Sequence, residues 1–140
     1  MVLTIGSWFN EPGIEFKISY KVRKLIRQIV VEDVMKPFGL EEKEPNWFLG
    51  LVIATSSNTN EVEVRGPEND KRNKTINYGL WLPYKKINDS KDYLNEYLNS
   101  LFDALVILFE KYGIPEQPIR LVQEKVKKDV LDNPEYEYNE

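Results

Sequence analysis

Histidine and cysteine are both absent from the 140 residues. Without cysteine there is no disulfide, no thiolate nucleophile and no thiolate metal site. Without histidine there is no imidazole general base, no serine–histidine pair and no zinc-type ligand cluster. Glycine is sparse: seven residues are scattered along the chain, and none forms a G-x-G-x-x-G or Walker pattern. The phosphate-cradling loop that such patterns build is therefore missing. No apolar run reaches the ~20 residues needed to cross a bilayer. The opening Met1-Val2-Leu3-Thr4-Ile5-Gly6 lacks the basic start and apolar middle of a signal peptide, so the cytoplasm is the expected location. The acidic and amide residues from Glu68 to Asn73 lack the order and the terminal glutamate of a calcium loop. No metal, no cofactor and no catalytic activity are expected.

What is present describes an ordinary folded domain. Hydrophobic residues make up 41% and charged residues 30%, as in soluble globular proteins. A chain of this length buries roughly two thirds of its unfolded surface and needs no metal or disulfide staple. Eight tyrosines, six phenylalanines and three tryptophans supply bulk for a core. One domain over residues 1–131 is expected, with an acidic tail, Asp132 to Glu140, that frays. The net charge of −4 argues against non-specific nucleic-acid binding and suits an acidic face that meets a basic partner.

Val2, Leu3, Ile5, Trp8 and Phe9 form a strand-like opening, and Asn10 to Gly13 punctuates it. Ile14, Phe16, Ile18, Tyr20 and Val22 alternate as in a strand, but Ile18, Val22, Leu25, Ile26, Ile29 and Val30 repeat at helical spacing. The spacing predicts a helix to Met35, extended back to about Gly13 and ended by Pro37. An acidic loop, Gly39 to Pro45, precedes the almost continuously apolar Asn46 to Thr55, which reads as a buried central strand. Glu61 to Arg65 alternates and reads as a strand with one wet face. Gly66 to Lys74 reads as a charged, flexible loop, and Thr75 to Tyr84 as a further strand. Asn88-Asp89-Ser90 provides caps for a helix whose stripe is Leu94, Leu98, Leu101, Leu105, Leu108 and Tyr112, stopped by Gly113. Pro118 opens a last helix with Ile119, Val122 and Val126 inward. The fold class is α+β: a two-layer sandwich with an antiparallel sheet of three to four strands, one long N-terminal helix and two C-terminal helices.

Three side-chain groups carry possible chemistry. Glu61 and Glu63 share one face if both lie on a strand, as paired carboxylates of a hydrolase would, or as the solvated face of an edge hairpin. Lys17, Lys21, Arg23, Lys24 and Arg27 form a basic cluster on the first helix, which reads as a solvated face. Trp81 is out of phase with Ile76, Tyr78, Leu80 and Leu82. If those face the helices, Trp81 faces the uncovered side of the sheet with Asn77 and Gly79, where a tryptophan makes a hot spot for a protein partner or packs in a second small core or under the tail.

The order of segments carries a likeness. A short strand with Gly6 and a turn around Gly13 leads through a helix to an apolar strand near Trp47, then EVEVRGP, a charged loop, INYGLWLPYKKI and the helix DSKDYLNEYLNSLFDALVILFEKYGI. From Leu3 to Leu131 this resembles the bacterial immunity proteins of polymorphic-toxin systems, most nearly immunity protein forty-four. The resemblance implies a non-enzymatic protein that binds and blocks a cognate toxin domain, such as a basic nuclease. It carries over no contact residues. The residues themselves nominate Glu61, Glu63, Arg65, Glu68 and Asp70 around the charged hairpin as partner-binding, with Trp81 as apolar anchor. A carboxylate-dependent hydrolase and a non-catalytic adaptor are the alternative readings.

Overall fold

The segment Phe48–Ser56 (β2) is buried along nearly its whole length and is paired with a strand on each side. The computed structural model describes residues 1–10, 19–84 and 90–131, and the side chains of all of these except 6–10, 90 and 91. Val2–Asn10 (β1) runs parallel to β2 on one side, and Thr75–Pro83 (β4) runs parallel to it on the other. Glu63–Asp70 (β3) is antiparallel to β4 and forms the far edge, giving the order β1-β2-β4-β3. The expected antiparallel meander is therefore corrected to a mixed sheet. The reason lies in β3: Glu63, Arg65, Glu68 and Asn69 are all exposed. So charged a strand is unsuited to a central place, while Tyr78, Leu80 and Leu82 of β4 are buried and gain from having neighbours on both sides. The chain leaves β2, passes the end of β4 and returns down the edge.

β3 also extends further than the sequence pattern suggests. It continues through Gly66 and Pro67 to Asp70, with a bulge between Arg65 and Glu68, so most of the expected charged loop is strand. Only Lys71 to Lys74 turns. Gly66 sits at φ +118°, and a Cβ there would stand 2.7 Å from the Asn77 carbonyl oxygen, so the bulge requires glycine.

The first helix, α1, spans Tyr20–Val30. Ser19 is extended and buried, and its hydroxyl accepts from the Val22 N–H at 3.3 Å, so the helix starts there and does not run unbroken from Gly13. Asn10 is the last residue of β1, and residues 11–18 fall outside the described residues, as do Asn88 and Asp89 and the tail 132–140. Val22, Ile26 and Val30, four apart, bury one stripe of α1. The Arg27 Nε–H donates to the Leu3 carbonyl at 2.9 Å and ties α1 to β1. A wider π turn, Val31–Met35, and a 3-10 turn, Leu40–Glu42, carry the chain to β2. The Met1 ammonium donates to the carbonyls of Leu40, Glu41 and Lys43. Burial lowers its pKa, and Glu41 and Glu44 oppose that shift.

The helix Ser90–Glu110 (α2) lies between the sheet and Glu116–Leu131 (α3). It is buried more widely than its leucine stripe: Phe102, Ala104 and Phe109 are fully enclosed beside Leu94, Leu98, Leu101, Leu105 and Leu108. Each such large side chain contributes about 1.5–3 kcal/mol through burial. After α2, Gly113 takes φ +78°; its N–H reaches the Glu110 carbonyl at 3.0 Å, and the Ile114 N–H reaches Phe109 at 3.1 Å. This is a Schellman close, with buried Ile114 and Phe109 as its apolar contact. α3 begins at Glu116, two residues before Pro118, and buries Ile119, Val122, Val126 and Val130.

Candidate functional site

Strand alternation divides the sheet into two faces. Leu3, Leu49, Leu51, Ile53, Tyr78, Leu80 and Leu82 are buried in the hydrophobic core beneath the helices. The opposite set is Val2 and Thr4 of β1, Phe48, Gly50, Val52 and Ala54 of β2, Thr75, Asn77, Gly79 and Trp81 of β4, and Glu63, Arg65, Glu68 and Asp70 of β3. Val2 and Phe48 are 47% and 41% exposed, large apolar groups left to solvent on this face.

The register sets the neighbours. Glu63 pairs with Trp81, Arg65 with Gly79, Glu68 with Asn77 and Asp70 with Thr75. The bulge keeps all four β3 residues in phase. Arg65 leans diagonally, and its guanidinium carbon lies 4.2 Å from the centroid of the Trp81 ring. It also donates to Glu63 Oε2 from Nε at 3.1 Å and from Nη2 at 2.8 Å. Both charged side chains stay about half exposed, so the ion pair by itself contributes little, and the aromatic contact fixes the geometry. A Cβ at Gly79 would lie 3.2 Å from the Trp81 indole nitrogen; the missing side chain leaves the ring its space. Asp70 closes the turn. Its carboxylate accepts from the Asn73 backbone N–H at 3.1 Å and from Nδ2 at 2.7 Å, and these hydrogen bonds hold it below the usual carboxylate range.

Five of the six nominated residues, Glu63, Arg65, Glu68, Asp70 and Trp81, therefore share one face. Glu61 does not join them as a strand neighbour: it lies in the bend before β3, so the expected Glu61–Glu63 strand pair does not form. The face is also less uniformly acidic than the nominated residues suggest, because Lys71, Arg72 and Lys74 crowd the turn at its end and are exposed. Phe48 and Val2 escaped sequence reasoning. Both sit in apolar stretches where in and out residues look alike, so alternation carried no signal.

A concavity of about 660 Å³ opens between the π turn with the residues that follow it and α3. Pro37, Phe38, Pro115, Pro118 and Leu121 line it, with Glu32, Asp33, Glu124 and Lys125 among the polar residues. The Lys125 ammonium pairs with Asp33 at 2.5 Å and joins α3 to the π turn. No described aspartate or glutamate is buried, and the described residues hold no cluster of three acidic groups placed to bind a metal. Of the basic cluster on α1, Lys21 and Lys24 are exposed while Arg27 is bonded to β1; Lys17 lies outside the described residues. No described helix is long and apolar enough to cross a membrane.

Comparisons with models of protein families, with curated proteins and with solved structures return no match for this chain.

Proposed function

We propose that the protein is a stoichiometric inhibitor that binds a protein toxin domain, in the manner of the immunity proteins it resembles, and that it does so with the edge of the sheet formed by β3 and β4, on the face turned away from the helices. The observation that carries this reading is the Glu63–Arg65–Trp81 cluster; the exposed apolar groups Phe48 and Val2 lie on the same face, toward the other end of the strands. A half-buried aromatic anchor ringed by charge is the anatomy of an interface hot spot. The carboxylates of Glu63 and Glu68 suit a basic partner, while Lys71, Arg72 and Lys74 restrict the orientations in which it docks. The hydrolase alternative is less well supported. Its acid would need a pKa raised by burial, and every described aspartate and glutamate is at least partly exposed.

The test is to look for a toxin domain encoded beside this gene, to co-express the two, and to titrate the purified pair by calorimetry. The reading expects rescued growth and a one-to-one complex, weakened at least ~10-fold by Trp81→Ala, as for a hot-spot residue. Full affinity in a Trp81→Ala, Glu63→Lys double variant that remains folded would move the interface elsewhere. Failure of the wild-type protein to protect cells or bind the toxin would remove the function.

A further inference from the structure

An indole face beside a carboxylate is the chemistry that holds a guanidinium. The ring quadrupole attracts the cation, and the carboxylate accepts its N–H groups. Here the two halves are fixed neighbours: Glu63 and Trp81 are register partners on adjacent strands. The guanidinium now seated between them belongs to Arg65, which pairs not with Trp81 but with Gly79 and reaches the ring through its side chain. Gly79 leaves open the space that both the indole and the Arg65 stem use: a Cβ there would meet the indole nitrogen at 3.2 Å and the Arg65 Cβ at 3.9 Å. Arg65 and Glu63 remain 56% and 50% exposed, so the seated guanidinium is open to solvent and weakly held.

We propose that the Glu63–Trp81 pair is a receptor for an arginine side chain of the protein partner, and that Arg65 is its resident, displaceable occupant. The inference rests on the reading of this face as a protein interface and names the chemistry of the partner: a loop presenting an exposed arginine. Charge and shape complementarity come from the structure itself, which shows one guanidinium already bound. On docking, the partner's arginine takes the ring and the Glu63 carboxylate, and Arg65 swings out into solvent or toward a partner carboxylate. Arg65 thereby acts as a gate on specificity, since a partner without a cation at this point gains nothing by displacing it.

The test uses a capped tetra-arginine peptide against the full-length protein, with affinity from calorimetry and the site read by NMR from the Trp81 indole N–H signal, assigned with Trp81→Phe. Arg65→Ala empties the receptor and should bind the peptide about 2–5-fold more tightly than wild type, the scale of one exposed cation–π contact, with a shift of the Trp81 signal. Adding Glu63→Gln to Arg65→Ala should return affinity to wild type or below, and a tetra-glutamate peptide should leave the indole signal unmoved. All substituted side chains in these two variants are exposed, so the fold is retained and is verified from the remaining amide spectrum. Equal affinity of Arg65→Ala and wild type, or an Arg65→Ala affinity that survives Glu63→Gln, overturns the proposal. Because no toxin enters the experiment, its failure is distinct from failure of the toxin-binding reading, which growth protection and complex formation decide.

Discussion

The guanidinium of Arg65 lies over the indole of Trp81, 4.2 Å from its centroid, across the β3–β4 pair at the edge of the sheet. If that contact and the Glu63 ion pair are as open to water as their exposure indicates, they organise the face without stabilising the fold much. A double-mutant cycle with Arg65→Ala and Trp81→Ala, followed by urea unfolding, should yield a coupling energy of about 0.5–1 kcal/mol. Coupling near 3 kcal/mol would mean that the pair is a structural clasp and not an adaptable binding surface.

Much of this face was legible in the sequence, and the reasons are local. Ile76, Tyr78, Leu80 and Leu82 alternate so cleanly that the opposite phase of Trp81 follows at once, and the structure places it there. Glu63 and Arg65 alternate with Val64 in the same way. The strand order was not legible. Alternation reports which side of a strand is wet, not which strand lies next to it, and a six-residue connection from Ser56 to Glu63 accommodates a neighbour or a skip. The extent of β3 was hidden because Gly66, Pro67 and a run of polar residues are turn formers taken alone; here pairing with β4 overrides that preference. The helix start failed for a related reason: Ile18 and Val22 fit helical spacing across a boundary that only the buried Ser19 cap reveals.

That cap can be weighed directly. Ser19→Ala removes the acceptor for the Val22 N–H at a buried helix end. A loss of about 1 kcal/mol is expected, with Ser19→Asp or Ser19→Thr recovering less than a surface cap would because the site is enclosed. Thermal unfolding by circular dichroism measures it. A change within about 0.3 kcal/mol would show that another group takes over the N–H.

The core and the groove should respond oppositely. Phe102 is fully buried in α2, and Phe102→Ala should cost about 3–5 kcal/mol, a large part of the stability of a domain this size. Leu121, 58% exposed beside the groove between the π turn and α3, should tolerate alanine within about 0.5 kcal/mol. A large loss at Leu121 would show that the groove is packed in solution and not open.

Two tyrosines should resist alkali. Burial, with a smaller contribution from Tyr84, pushes Tyr93 up to about 12, and burial with the 2.9 Å hydroxyl contact to Tyr78 pushes Tyr112 higher still. In the unfolded chain both phenols ionise near pH 10. Between about pH 10 and 12 the unfolded state therefore has lost protons that the native state keeps, and stability falls as pH rises through that window. Below pH 10 both states are protonated and the contribution is constant. Absorbance at the phenolate band should show most of the eight tyrosines ionising first, with the last ionising together with unfolding. Simultaneous ionisation of all of them in a folded protein would mean that water reaches Tyr93 and Tyr112.

Glycines 50 and 66 both face Asn77, but through different atoms, and the difference decides the outcome. A Cβ at Gly50 would stand 2.5 Å from Asn77 Oδ1, the end of a side chain that can turn away. Turning costs the 3.0 Å bond from Asn77 Nδ2 to Thr75 Oγ1, about 1 kcal/mol, partly offset by the lower backbone entropy of alanine in the unfolded chain. At Gly66 the Cβ meets the Asn77 backbone carbonyl at 2.7 Å, which cannot move without breaking the β3–β4 ladder, and φ is +118°. Gly66→Ala should therefore cost about 2–4 kcal/mol from backbone strain and lost pairing. It should also release amide protection in β3 before the rest of the sheet, because β3 has β4 as its only strand neighbour among the described residues. Hydrogen exchange on the two variants separates them. Equal costs, or a loss of protection in β2 ahead of β3, would contradict the placement of the bulge as the point that holds the charged edge, and with it Glu63 and Arg65, against Trp81.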